Sequence, residues 1–307
     1  MLLPEHLREL ENMFWVRYAP CALNGRRLME EMDGLDYAVA GGEEQYTAAV
    51  IEQANPGFKA FFLGVQANAA FTPEAIDLLG PERLFVTGGG EKQVAKTAYE
   101  FITNPVIRRL LLTQKSRDFR WTSVDELIDD AREARELDIS VIGAGNIGRR
   151  LLEVLDGKCR SLKYHNPRGE KKDVTSDTIR WEPDIDDAFV ADIVSIHLAL
   201  TPDTRYAIRA QQLEMINLGG WLVNFARAEI VDPVALMVFL SDDGKAVFDP
   251  FYVEGDRFEA LARDGLYARM IRDPRLICTS HTAAFSNETR REYGENLIRL
   301  IREKNLA

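Results

Sequence analysis

The sequence has few cysteines, and those few follow no recognisable pattern. Its 307 residues include three, Cys21, Cys159 and Cys278, which are widely spaced and form no CxxC pair. Neither a disulfide framework nor a cysteine zinc site is therefore expected, and we predict no bound metal. This cysteine usage fits a reducing cytoplasm.

Long apolar runs and an excess of basic charge are also missing. No stretch approaches the roughly 18 consecutive apolar residues of a membrane span, and the opening MLLPEHLREL lacks the pattern of a signal peptide. The chain carries 38 basic and 49 acidic residues, a net charge of -11, which disfavours a nucleic-acid partner. We expect a cytoplasmic protein without membrane or nucleic-acid partners. A small anionic ligand stays compatible with this charge, because local charge governs small sites.

What the sequence does contain is an alternation of strand-like and helix-like segments. Up to about Gly90 these segments are short and suggest a small α/β unit. A long helical candidate runs from Glu91 to Leu112, and Pro105 should kink or interrupt it. Six strand candidates follow: DISVIGAG, SLKYHN, DIVSIHLAL, GGWLVNFA, KAVFD and RLICTSH. Because most of them are joined by helical or mixed segments, they predict a doubly wound parallel sheet.

The segment VIGAGNIGRR has glycines at the spacing of a dinucleotide-binding turn. Gly143, Gly145 and Gly148 follow an apolar strand and open a helix. In such a turn the first glycine permits the tight bend, the second lets a pyrophosphate approach the backbone, and the third lets helix and strand touch. A merely structural glycine turn is the alternative, and the strand-turn-helix context favours a dinucleotide site.

The second strand candidate ends without the acid that usually binds the adenosine ribose. That place reads KYHNPRGEKK, with His165, Asn166 and Arg168 where a carboxylate would stand. A loop with basic groups and no carboxylate would accept a 2′-phosphate, so NADP(H) is favoured. The alternative is a solvated basic turn in a protein that binds NAD(H).

Only four histidines are present, which limits the candidates for proton transfer. His6 lies in a polar helix candidate and is expected at the surface, and His165 belongs to the ribose loop. His197 ends a strand candidate at the edge where cofactors bind, where an imidazole orients backbone as readily as it transfers protons. His281 ends the last strand candidate and is followed by small residues. It is our candidate proton donor, against the commoner structural role of a histidine at a strand end.

Several ordered motifs between Ser140 and Ala284 resemble the D-isomer-specific 2-hydroxyacid dehydrogenase family. They are GAGNIGRRL, DIVSIHLALTPDTR, LVNFARAEIVDPVAL, FDPFYVE and SHTAAF. The resemblance implies that Arg227, Glu254 and His281 form the catalytic set. It also implies cofactor contacts from Asn146, Ile147, Thr201, Ala226 and Asp249, the last of these with the nicotinamide amide.

The chemistry of 2-oxo acid reduction accounts for the residue types in the catalytic set. Hydride transfer builds negative charge on the carbonyl oxygen, so the site needs a proton donor and a fixed cation. His281 would donate the proton, and a nearby Glu254 would favour its charged form. Arg227 would hold the substrate carboxylate and carbonyl with paired donors. The alternative for Arg227 is a salt bridge to Glu229 or Asp232.

The family architecture implies a Rossmann nucleotide domain of residues 92–280. This domain would be inserted into a smaller flavodoxin-like α/β substrate domain, made from residues 1–91 and 281–307. Dimerisation through the nucleotide domain is implied as well, so we expect a homodimer.

The first third of the chain matches the family only loosely. Its substrate loop corresponds to FFLGVQANAAF, where the backbone amides of Val65, Gln66 and Ala67 would receive a substrate carboxylate or form an ordinary turn. The resemblance predicts an NAD(P)-dependent oxidoreductase that interconverts a small 2-oxo acid and a D-2-hydroxy acid. Two alternatives stay open: a regulatory protein that binds the dinucleotide without turnover, and a dehydrogenase acting on another small oxyanion.

Overall fold

The structure is a computed structural model, and it describes residues 2–18, 25–41, 45–64, 67, 70–115, 132–252 and 265–306. The chain divides into two compact units. The first unit consists of Met1–Gly90 together with Phe285–Ala307, and the second consists of Glu91–Ala284.

The described residues form ten strands and twelve α-helices, numbered here in chain order. The strands are β1 (Tyr37–Ala40), β2 (Lys59–Phe62), β3 (Leu84–Val86), β4 (Asp138–Ile142), β5 (Ser161–His165), β6 (Ile179–Trp181), β7 (Ile193–Ile196), β8 (Trp221–Asn224), β9 (Lys245–Phe248) and β10 (Leu276–Cys278). The helices are α1 (Pro4–Met13), α2 (Gly25–Met32), α3 (Ala48–Ile51), α4 (Pro73–Arg83), α5 (Glu91–Thr103), α6 (Pro105–Lys115), α7 (Asn146–Leu155), α8 (Ile185–Ala188), α9 (Ala210–Leu213), α10 (Pro233–Ser241), α11 (Gly265–Arg272) and α12 (Asn287–Glu303).

In the first unit, β1, β2 and β3 form a three-stranded parallel sheet in that order. Side chains of β2 alternate between two apolar clusters, as the period of a strand requires. Phe62 joins the cluster beneath α2, α3 and α4, and Phe61 joins the cluster formed with α1 and α12. The sheet is therefore covered by helices on both faces.

The second unit contains a seven-stranded parallel sheet in the order β10-β9-β8-β7-β4-β5-β6. The chain runs outward from β4 to β6, returns to β7 beside β4, and runs outward again to β10, so the strand order reverses between β4 and β7. Apolar clusters cover both faces. The fold is thus a doubly wound (Rossmann) domain inserted into a smaller flavodoxin-like α/β domain. Ligands of such sheets bind at the carboxyl ends of the strands beside the reversal.

The long helical candidate is interrupted at its proline, as predicted. α5 ends at Thr103 and α6 begins at Pro105. Between them, the side-chain oxygen of Asn104 accepts hydrogen bonds from the amides of Val106 at 3.0 Å and Ile107 at 3.3 Å. These amides have no intrahelical acceptor in the first turn, so Asn104 caps α6.

One expectation about the second unit was wrong. The sheet has seven strands instead of six, because β6 pairs with β5 over three residues. Residues 281–284, close to the expected domain boundary, group with the second unit. There the amides of Thr282 and Ala283 donate to the carboxylate of Asp249.

The expectation of a surface position for His6 was also wrong, since its exposed fraction is only 5%. His6 and Leu10 lie on the same face of α1, one turn apart, and both are buried. On α12, Gly294 faces the imidazole: a Cβ atom added at Gly294 would lie 2.0 Å from His6 Nδ1. The missing side chain of Gly294 therefore makes the space that His6 fills.

Candidate active site

The glycine turn between β4 and α7 has the conformation of a dinucleotide cradle. Gly143 has φ +98°, and a Cβ added there would lie 2.8 Å from the carbonyl group of His197. A Cβ added at Gly148 would lie 1.9 Å from the carbonyl oxygen of Gly143. At Gly145, by contrast, no atom would lie within 4 Å of the added Cβ. The first and third glycines are thus required by packing, and the second leaves open space at the N-terminus of α7, which fits a pyrophosphate.

The residues that follow β5 differ in exposure. His165 is 9% exposed, and its Nδ1 lies 3.0 Å from the carbonyl oxygen of Glu182, which follows β6. Asn166 is 8% exposed and donates from Nδ2 to the carbonyl oxygen of Gly169 at 2.9 Å. Arg168 is exposed. Arg168 is therefore the basic side chain among these three that is available to an anionic ligand.

His197, which follows β7, is held inside the sheet. Its Nε2 lies 2.8 Å from Ser195 Oγ, and its Nδ1 is buried with no hydrogen-bond partner in the described part of the chain. Burial lowers the pKa of His197 to about 4 from an ordinary value of 6.5, because a charged imidazole would lose its hydration. The imidazole is therefore neutral near pH 7. The backbone carbonyl group of His197 faces the turn at Gly143.

The residues expected along the cofactor occupy the turns at the same sheet edge. Asn146 begins α7 and is exposed, and the next residue, Ile147, is half-buried. Thr201 is exposed, and its amide donates to Thr204 Oγ1 at 2.7 Å in a turn after β7. Ala226 is half-buried, and its amide donates to Asn224 Oδ1 at 3.0 Å.

Arg227 stands just past the end of β8, immediately before a short 3-10 helix, Ala228–Ile230. Its side chain is half-buried, and Nη1 donates to the carbonyl oxygen of Ala226 at 2.8 Å. Asp232 instead caps α10, where it accepts from the amides of Val234 and Ala235 at 2.9 Å each. Neither Asp232 nor Glu229 forms an ion pair with Arg227.

A buried carboxylate after β9 organises the segment that carries His281. Asp249 is 2% exposed. Its Oδ1 accepts from the Thr282 amide at 2.7 Å and from Thr279 Oγ1, and its Oδ2 accepts from the Ala283 amide at 2.7 Å. His281 is half-buried and has φ +56°, a left-handed conformation. The carboxylate expected at the nicotinamide amide thus also binds the turn around His281.

The register of the sheet brings these segments to one edge. Asn224 pairs with Phe248, and Phe248 pairs with Cys278, so β8, β9 and β10 end side by side. Arg227 and His281 each follow their strand end by three residues. Both side chains consequently originate at the carboxyl edge of the sheet, where β4 and its glycine turn also end.

Three predicted site residues, Glu254, Val65 and Gln66, lie outside the described residues. Ala67 is described and lies in the first unit, where its carbonyl oxygen accepts from the amides of Ala70 at 3.0 Å and Phe71 at 2.9 Å. In the described ranges, no group of three or more His, Cys, Asp or Glu side chains could hold a metal ion.

Two contacts near the site were not predicted from the sequence. The contact between Ser195 and His197 could have been predicted, because residues two positions apart in an extended segment lie on the same face. Thr97 on α5 donates from Oγ1 to the carbonyl oxygen of Ala283 at 2.8 Å. These two residues are 186 positions apart, and no local pattern links them.

A family profile, the D-isomer specific 2-hydroxyacid dehydrogenase NAD binding domain, matches residues 106–283. The chain belongs to this family. The matched range contains the glycine turn, both turns after β7 and β8, Asp249 and His281. The second unit of this 2-hydroxyacid dehydrogenase family member is therefore its NAD-binding domain.

Individual relatives are similar over part of their length. The D-specific alpha-keto acid dehydrogenase of Enterococcus faecalis is 29% identical over 176 residues, 55% of this chain and 52% of that protein. The D-lactate dehydrogenase of Lactiplantibacillus plantarum is 25% identical over 244 residues, 75% of this chain and 65% of that protein. The matched segments thus span about half to two thirds of these relatives.

Structural similarity to known proteins covers more of the chain than the family profile does. The crystal structure of an NAD-dependent formate dehydrogenase from Staphylococcus aureus in complex with NAD has a TM-score of 0.72 at 20% identity, over 91% of this chain and 82% of that one. At this identity the likeness concerns the fold.

None of the helices in the described residues is long and apolar enough to cross a membrane.

Proposed function

We propose that the chain is an NAD(P)-dependent oxidoreductase that interconverts a small 2-oxo acid and a D-2-hydroxy acid. The observation that supports this most directly is the common sheet edge. In a member of this dehydrogenase family, the residues Arg227, Asp249 and His281 follow adjacent strand ends on the sheet that carries the glycine turn. That arrangement suits an anionic substrate beside a nicotinamide ring.

The glycine turn would hold the cofactor pyrophosphate. The open space at Gly145 and the free amides of the first turn of α7 suit two phosphate groups. When bound, the dinucleotide supplies or accepts the hydride at its nicotinamide ring. Asn146, Ile147, Thr201 and Ala226 would line the rest of the cofactor.

NADP(H) is the cofactor we favour. No carboxylate follows β5 directly, and Arg168 is exposed in the loop that would face the ribose 2′ position. Guanidinium groups bind phosphates with paired donors, whereas a ribose 2′-hydroxyl is usually bound by an acid at this place. NAD(H) is the alternative, with Asn166 as a neutral partner of the ribose.

Arg227 would anchor the substrate carboxylate and polarise the carbonyl group. Its guanidinium has no ion-pair partner among the described residues, so its charge is available to a ligand there. His281 would donate the proton to the developing alkoxide, and Glu254 would favour the charged imidazole. Backbone amides of Val65, Gln66 and Ala67 would also bind the substrate carboxylate.

The proposed enzyme is a cytoplasmic homodimer. Val106 and Leu110 lie one turn apart on α6 and are 49% and 57% exposed. An exposed apolar pair on a helix of the nucleotide domain is a suitable contact for a second copy.

A dehydrogenase for another small oxyanion is the second candidate, because the fold is shared with a formate dehydrogenase. Arg227 would then hold a smaller anion.

A substrate panel tests the proposal. Purified protein is mixed with NADPH or NADH and a series of 2-oxo acids from glyoxylate to aromatic ones, and loss of the reduced cofactor is followed. Formate with NAD or NADP is included. We expect reduction of at least one 2-oxo acid, and a decrease in kcat of about 10²- to 10⁴-fold in His281→Ala, the usual contribution of general acid catalysis. Tight cofactor binding without turnover on any substrate would contradict the proposal and favour a regulatory protein.

A further inference from the structure

The turn that carries His281 has a backbone conformation that other contacts must hold in place. A φ of +56° is in the left-handed region, which residues with a Cβ atom rarely adopt. This conformation is unfavourable for such a residue and persists only where the surrounding contacts fix it. The contacts around His281 therefore decide how its imidazole is presented.

The first set of contacts comes from Asp249. Its two carboxylate oxygens accept from the amides of Thr282 and Ala283, which follow His281 directly, and from the hydroxyl of Thr279 before it. Both ends of the turn are thus bound to one buried anion. Hydrogen bonds to an ionised acceptor are about twice as strong as neutral ones.

The second contact comes from α5 and is made to the carbonyl group of Ala283, whose amide group is bound by Asp249. Thr97 Oγ1 donates to the carbonyl oxygen of Ala283 at 2.8 Å and accepts from Gln93 Nε2 at 3.4 Å. Because Thr97 holds the carbonyl while Asp249 holds the amide, Ala283 cannot rotate without losing a hydrogen bond at each end.

We propose that Thr97 and Asp249 are positioning residues that together fix the left-handed turn and so aim the imidazole of His281 at the substrate. The inference rests on the proposed role of His281 as proton donor. Thr97, a half-buried residue of α5, affects the reaction only through the conformation of the turn. Asp249 has this task in addition to its expected contact with the nicotinamide.

The test replaces Thr97 by valine, which has the same shape but no hydroxyl. Thr97→Ser keeps the hydroxyl and should restore the wild-type behaviour. Thr103→Val is the matched control: Thr103 lies on the same helix, and its Oγ1 donates to the carbonyl oxygen of Tyr99 at 2.7 Å, within α5. Amide hydrogen exchange of Thr282 and Ala283, kcat with its pH profile, and the cofactor Kd are measured for each variant.

In Thr97→Val we expect exchange at the two amides to become about tenfold faster, since the turn opens more often. We expect kcat to fall about tenfold, because a loosened proton donor is in the reactive geometry for less of the time. The cofactor Kd should stay unchanged, and the apparent pKa of the pH profile should shift. Thr97→Ser and Thr103→Val should behave as the wild type.

Three results would overturn the inference. The first is exchange in Thr97→Val that equals exchange in Thr103→Val. The second is faster exchange with unchanged kcat and an unchanged pH profile, and the third is a loss of kcat without faster exchange. If the wild type shows no turnover at all, the proposed function fails and the positioning role fails with it. The exchange measurement then shows separately whether the hydrogen bond of Thr97 restricts opening of the turn.

Discussion

Among the single residues near the site, His197 is kept uncharged near pH 7 by its burial. His197 is buried beside the glycine turn and hydrogen-bonded to Ser195, and its pKa is lowered to about 4. It is therefore suited to holding the sheet edge and not to proton transfer near pH 7. His281, which lies at the edge of the sheet, is the proposed donor.

The buried neutral state of His197 predicts loss of stability in acid. The pKa of His197 is near 6.5 in the unfolded chain and about 4 in the folded chain. Above about pH 6.5 the free energy of unfolding is therefore not reduced by His197, and it decreases as the pH falls from 6.5 towards 4. At pH 5 the loss is about 2 kcal/mol. Urea unfolding at pH 7 and pH 5 should show this loss in the wild type and a smaller one in His197→Asn. An equal loss in both proteins would contradict it.

Asn166 is the residue at which cofactor choice is most easily changed. In Asn166→Asp a carboxylate would repel a 2′-phosphate and accept from a ribose hydroxyl, so kcat/KM for NADH relative to NADPH should rise about tenfold or more. Asn166→Ala is the control, because it also removes the hydrogen bond to Gly169 but adds no charge. The prediction is wrong if alanine shifts the ratio as far as aspartate does, or if the wild type prefers NADH.

Among the secondary-structure elements, the start of α10 gives a structural role to Asp232, an acid that is close to Arg227 in sequence. Asp232 caps the helix, and Pro233 occupies its first turn. Asp232→Ala should lower the free energy of unfolding by about 1 kcal/mol, while Asp232→Asn keeps a capping oxygen and should lose less. Because Asp232 forms no ion pair with Arg227, kcat/KM should stay unchanged in both. A fall in kcat/KM as large as in an Arg227 variant would contradict this.

Elements with strong periodic or turn signals were predictable, and weak ones were not. β4, β7, β8 and β9 are runs of four or five almost wholly buried residues, and their apolar sequences predicted them. β6 has three residues, none of them fully buried, and forms because β5 provides a partner edge. No pattern within its own sequence marks such a strand.

At the scale of the whole molecule, the sequence predicted which segments meet but not how they are held. Residues that lie a few positions past a strand end, such as Arg227 and His281, could be assigned to one edge once the parallel order was predicted. The contacts of Asp249 with Thr282 and of Thr97 with Ala283 depend on pairings between distant segments. They could only be found in the structure, as could the burial of His6 against Gly294.

Arg227 is central to the proposed reaction, since both proposed chemistries require a cation for the substrate anion. If Arg227 holds both the carboxylate and the polarised carbonyl, its contacts strengthen as charge develops on the oxygen. Lysine keeps the charge but not the paired donors, so Arg227→Lys should recover only part of the activity lost in Arg227→Ala.

The most direct test is the comparison of kcat/KM on the best 2-oxo acid for wild type, Arg227→Lys and Arg227→Ala, with the Tm of each protein. We predict that kcat and substrate affinity fall together in Arg227→Ala and partly in Arg227→Lys, while Tm stays within a few degrees of the wild type. An Arg227→Ala protein that melts several degrees lower but keeps a near-normal kcat and KM would show that the arginine is structural and that the proposed site is wrong.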